Sequence, residues 1–123
     1  MEVEPYEPVA GTGRDCAALL EVLPATVLDA ERREVEPGDV PAAAWGSPTI
    51  VLRCGVPSPQ PGEVLVEVNG VAWLPTPGEG GSFLTTTDRL ANVEVAVPAA
   101  YDPPANAVVD LAAAIKATLP RRD

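Results

Sequence analysis

Val64-Leu65-Val66-Glu67-Val68-Asn69-Gly70-Val71-Ala72-Trp73-Leu74 decides the fold class. Two apolar runs flank Asn69-Gly70, the dipeptide that accepts positive φ at both central positions of a tight turn, so the stretch predicts a two-residue β-hairpin. Beyond it, Pro75 to Ser82 is Gly/Pro-rich and is expected to be a mobile loop. Phe83 to Thr87 and Asn92 to Val97 are predicted to pair as a second hairpin around Asp88-Arg89. Alternation sets Val93, Val95 and Val97 on one face and Asn92, Glu94 and Ala96 on the other. Upstream, Thr49 to Cys54 is bounded by Pro48 and Gly55 and reads as a buried strand. Ile50, Leu52 and Cys54 face one way, Val51 and Arg53 the other. Pro57 to Gly62 is a stiff loop, because proline is excluded from interior strand positions.

Helical signals flank this β-rich centre. Thr12 stands as a cap before Cys16, Leu19, Leu20 and Leu23, which fall at the spacing of one apolar helix face, and Pro24 ends the run. Thr26 to Arg33 is expected as a short turn or helix, and Ala42-Ala43-Ala44-Trp45 as irregular chain. Asp102 before Pro103-Pro104 signals the start of a helix over Ala105 to Leu119. Its apolar positions are Val108, Leu111, Ala112, Ile115 and Leu119, with Pro120 as the stop and Arg121-Arg122 complementing the dipole. The predicted fold class is α+β: a two-layer sandwich, with a mostly antiparallel sheet of about five strands covered by an N-terminal and a C-terminal helix. At 123 residues, 46% of them hydrophobic, the chain suffices for one core. Residues 12–123 are expected as one domain and residues 1–11, with Pro5, Pro8 and Gly11, as an N-terminal linker.

Composition excludes several function classes. The net charge is −10 and the basic residues are scattered, whereas nucleic acid and anionic membrane surfaces require clustered Lys and Arg. The acidic balance reads as solubility, or as attraction for cationic partners. There is no histidine, which removes Ser-His-Asp and Cys-His nucleophile pairs and His-Glu-x-x-His zinc sites. Gly78-Glu79-Gly80-Gly81 lacks the following helix and Lys-Ser/Thr of a phosphate loop, and no EF-hand loop is present. No cofactor and no metal are expected. Glu67 and Glu94 sit mid-strand among valines and read as outward charges. Catalysis by paired carboxylates is the enzymatic alternative.

Cys16 and Cys54 have neither metal-finger nor Cys-x-x-Cys spacing, so a single structural disulfide is the reading, with two reduced core thiols of a cytosolic protein as the alternative. Both fall on predicted inward faces, which brings the sulfurs within reach. An arginine in an apolar strand, as at Arg53, implies either a structural ion pair or a site for a ligand carboxylate. Trp45 and Trp73 are either core or interface anchors. With Asp88 and Arg89 of the second hairpin, Trp45, Arg53 and Trp73 form the candidate binding set.

One further run carries a resemblance. Trp45-Gly46-Ser47-Pro48-Thr49-Ile50-Val51-Leu52-Arg53-Cys54-Gly55-Val56, preceded by Cys16-x-x-Leu19 and followed by Asn69-Gly70-Val71-x-Trp73, resembles the actinobacterial family called domain of unknown function 3515. Leu23-Pro24, Arg32-Arg33, Phe83 to Arg89, and Val93 to Pro98 ahead of Tyr101 extend the match over nearly the whole chain. The resemblance implies no activity. It implies an N-terminal membrane-spanning or lipoprotein-type segment ahead of the domain, and so a location outside the cytoplasm, membrane-anchored or secreted. No segment here approaches the roughly 20 consecutive apolar residues of a membrane span. Met1-Glu2-Val3-Glu4-Pro5 lacks the features of a signal peptide, so the chain is expected to be trimmed of that anchor. The function expected is a non-enzymatic binding or scaffolding domain of the cell envelope, its partner an envelope protein or cell-wall component. The alternative is a small carboxylate-dependent hydrolase or transferase acting on envelope glycan or peptide.

Overall fold

The computed structural model describes residues 6–36, 40–59, 65–78, 80–87, 89–101 and 103–120. Among them one antiparallel sheet runs through eight strands: β1 (Thr26–Val27), β2 (Ala30–Arg33), β3 (Ala42–Trp45), β4 (Ile50–Val56), β5 (Val66–Val68), β6 (Val71–Gly78), β7 (Gly81–Thr86) and β8 (Asn92–Pro98). Their spatial order is β1-β2-β3-β4-β8-β7-β6-β5, so the chain leaves β4 for the far edge and returns strand by strand until β8 closes against β4. Three α-helices, α1 (Gly13–Val22), α2 (Ala105–Val109) and α3 (Ala112–Thr118), complete the α+β fold.

The Asn69-Gly70 hairpin is present as β5 and β6, with both turn residues at positive φ and Val68 paired to Val71. Strand β4 buries Ile50, Leu52 and Cys54 on one face as its alternation requires, and β8 does the same with Val93, Val95 and Val97. Asn92, expected outward, is buried where a register irregularity opposite Cys54 and Val56 turns it inward; its amide donates to Ser58 Oγ and its carbonyl accepts from Thr86 Oγ1.

The eight strands correct the expected five: two local readings account for the three added strands, and a third for the greater length of β6 and β7. Thr26 to Arg33 is not a helix but the β1–β2 hairpin, turning at Leu28 (φ 50°) and Asp29 (φ 65°). A leucine in left-handed backbone is unusual; here its side chain packs on the core and its N–H donates to Asp110 Oδ2 at 3.0 Å. The alanine run is a strand, β3, held between β2 and β4. Residues 75–78 and 81–82, expected as loop, are the paired distal ends of β6 and β7, with Pro75 opposite Leu84 and Pro77 opposite Ser82. The two prolines stand two residues apart and so share one side of the strand, facing the edge that β5, pairing only Val71 to Trp73, does not reach.

The C-terminal helix is interrupted. A tight bond from Leu111 N to Val108 O separates α2 from α3, while Val108, Leu111, Ala112, Ile115 and Leu119 all remain buried. Residues Asp102, Arg121 and Arg122, read as its start and dipole partners, lie outside the described residues, as does Val64 of the first hairpin. Thr12 occupies the cap position of α1, but its hydroxyl donates back to Val9 O at 2.6 Å rather than accepting from the helix. Helices α1 and α3 pack together over the valine-rich face, and Cys16 of α1 is bonded to Cys54 of β4 with Cα atoms 5.7 Å apart.

Candidate functional site

The opposite face of the sheet, away from the helices, carries a different set of side chains. Register sets Arg53 of β4 opposite Glu94 of β8, Glu94 opposite Thr85 of β7, and Phe83 of β7 opposite Thr76 of β6. These residues line a groove of about 670 Å³, whose lining is completed by Tyr6 and Glu7 on one segment and Val56, Pro57 and Pro59 on another. The Arg53 Nη1 atom stands 3.6 Å from Glu94 Oε1, with the two side chains 20% and 31% exposed.

Residues 6–12 are tied to the end of β4. The Tyr6 hydroxyl donates to Cys54 O at 2.7 Å, with Pro41 O also at 3.0 Å, and Val9 N donates to Gly55 O at 2.8 Å. Gly55, at φ +85°, makes this passage possible: a Cβ there would stand 2.9 Å from Thr12 Oγ1 and 3.1 Å from Pro8 Cβ. Burial pushes the Tyr6 phenol up to about 12, with Arg53 pulling it down and Glu94 pushing it further up. A raised folded-state value means that the contribution of this phenol to stability is complete below pH 10 and is lost as pH rises from 10 to 12. In a Tyr101→Phe background, phenolate absorbance of the native protein is therefore expected to develop near pH 12, and near pH 10 in denaturant; a native transition near pH 10 would mean that Tyr6 is not clasped.

The candidate binding residues do not converge. Trp45 is fully buried, its Nε1 donating to Pro24 O at 3.1 Å, and Trp73 is fully buried with its Nε1 unpartnered among the described residues. Neither offers surface to a partner. Arg89 is buried too, donating from Nη1 to Leu119 O at 2.9 Å and from Nη2 to Gly70 O at 3.2 Å. Asp88 lies outside the described residues. Of the described members of the set, Arg53 alone lines the groove. Tyr6 and Phe83 join it without having been singled out: Tyr6 sits in a stretch that reads as linker, and one phenylalanine in a strand carries no signal until register sets it between Thr76 and Ala96, one residue pair along from the Thr85–Glu94–Arg53 row. Among the described residues no group of Cys, Asp and Glu converges as metal ligands would.

The protein is thus an α+β domain, one face of whose antiparallel sheet is sealed by helices and a disulfide while the other carries an aromatic- and proline-lined groove around one arginine. Residues 1–123 match the family described as protein of unknown function (DUF3515), and the chain belongs to that family. Searches of curated proteins and of solved structures returned no match.

Proposed function

We propose that this is a non-enzymatic binding or scaffolding domain of the cell envelope, of the actinobacterial, membrane-anchored or secreted kind, engaging an envelope protein or cell-wall component through the groove on the open sheet face. The observation that carries the reading is the groove itself: Tyr6, Phe83, Pro57 and Pro59 supply apolar wall and Arg53 a charged contact in a volume suited to a ligand segment. The Cys16–Cys54 bridge agrees with an oxidising compartment. Among the described residues no helix is long and apolar enough to cross a membrane, so anchoring in this reading belongs to a segment outside them. The carboxylate-dependent alternative draws less support: Glu67 is exposed in β5 and does not line the groove, and of the two carboxylates that do, Glu94 faces Arg53 and Glu7 is exposed.

A photoreactive residue at Thr76 in the groove, expressed in the native envelope, is expected to give a discrete adduct that disappears when Arg53→Gln is added. The same residue at exposed Val109 on α2 is expected to give none. Equal labelling at the two positions, or an adduct indifferent to Arg53, overturns the proposal.

A further inference from the structure

Arg53 is the only cation lining the groove among the described residues, and its one ion-pair contact among them is Glu94 at 3.6 Å. A guanidinium presents several N–H donors in a fixed fork suited to a carboxylate. The nearest acceptor, Glu94 Oε1 at 3.6 Å, lies beyond hydrogen-bond length and engages one nitrogen. Arg89, at the other side of the sheet, shows the contrast, with carbonyl acceptors at 2.9 and 3.2 Å. The Arg53 side chain is 20% exposed and keeps donors free beside Glu94, and a bidentate carboxylate from outside would take them, against the negative charges of Glu94 and of the exposed Glu7 that also lines the groove.

We infer that the groove receives the free C-terminal carboxylate of an extended peptide, with Arg53 as the group that forks onto it; this rests on the groove being the binding surface. The neighbours of Arg53 fit that end of a chain better than an acidic side chain. A terminal residue brings its main-chain N–H beside its carboxylate, and Glu94 and Thr85, in cross-strand register with Arg53, offer oxygen acceptors there. Phe83 and Pro57 provide the apolar wall for the last side chain, and Thr76 a hydroxyl for the preceding main chain.

The test uses mixtures of N-acetylated tripeptides with randomised positions, prepared as free acids and as C-terminal amides, with a third set carrying an internal Glu and an amidated end. Binding to the oxidised, ¹⁵N-labelled protein is read from the Arg53 side-chain Nε–H and the Phe83 amide. Free acids are expected to shift both signals, with amidation weakening the effect at least tenfold and Arg53→Gln abolishing the Phe83 shift in a protein whose remaining spectrum is unchanged. Acids and amides shifting the groove alike would overturn the carboxylate assignment and leave the groove as a binding surface. Shifts from the internal-Glu amides equal to those from the acids would replace the chain terminus by a side chain and overturn the inference too. No peptide shifting either signal, while the Thr76 adduct still forms, also overturns the inference but not the groove; shifts confined to residues elsewhere overturn both.

Discussion

Arg89→Met is expected to lower the unfolding free energy by about 3–5 kcal/mol, whereas Arg53→Met costs less than about 1 kcal/mol. The two arginines, Arg53 within β4 and Arg89 between β7 and β8, occupy opposite environments. Arg89 is 5% exposed and bridges Gly70, in the turn between β5 and β6, to Leu119 at the end of α3. Each hydrogen bond from a charged donor contributes about 1.5–3 kcal/mol, and methionine would fill much of the volume while leaving both carbonyls without that donor. Arg53 has a single partner at 3.6 Å, partly screened by solvent, so its removal disturbs little of the fold. Urea unfolding separates the two: a midpoint drop on the order of 2 M for Arg89→Met against almost none for Arg53→Met. Comparable losses would mean that Arg53 is a structural ion-pair residue and would weaken its assignment to the groove.

The second large effect is expected from the Cys16–Cys54 bridge. Its ends are 38 residues apart, and in the chain-entropy account closing a loop of that length disfavours the unfolded chain by about 4 kcal/mol. Cys16→Ala with Cys54→Ala should therefore lower the melting temperature by on the order of 10–20 °C. The denatured, unreduced protein should take up no alkylating reagent, and after reduction it should take up a label at each cysteine. Labelling without reduction, or a double variant as stable as the parent, would remove the bridge from the account of stability and with it the argument for an oxidising compartment.

Local chemistry made part of this fold legible. Asn69-Gly70 announces its hairpin because the turn demands residues that tolerate positive φ, and the alternation of β4 and β8 follows from one face being buried. The β1–β2 turn was not legible because Leu28 and Asp29 are not a usual turn pair; tertiary contacts, the core packing of Leu28 and its bond to Asp110, hold it. An alanine run has little strand propensity of its own, so β3 exists by virtue of its neighbours, and prolines mark strands as unsuitable unless an unpaired edge is known in advance. In the site, the charge of Arg53 stood out against its apolar strand, but its companions depend on cross-strand register: Glu94 and Thr85 become its neighbours only once β8 is placed between β4 and β7. Tyr6 depends on a contact 48 residues away along the chain, which no local pattern encodes.

The attachment of residues 6–12 to β4 also sets how the domain would carry load. A pull applied ahead of Tyr6 would first strain its bonds to Cys54 and Pro41 and that of Val9 to Gly55, then peel the chain back to Cys16. There extension stops after about 35 Å of slack, because the covalent bridge passes the force directly into β4, a central strand, and shields everything between the two sulfurs from being drawn out. The tyrosine clasp then acts as a mechanical fuse beside the groove: tension would release Tyr6 and Glu7 from its wall while the rest of the sheet stayed folded.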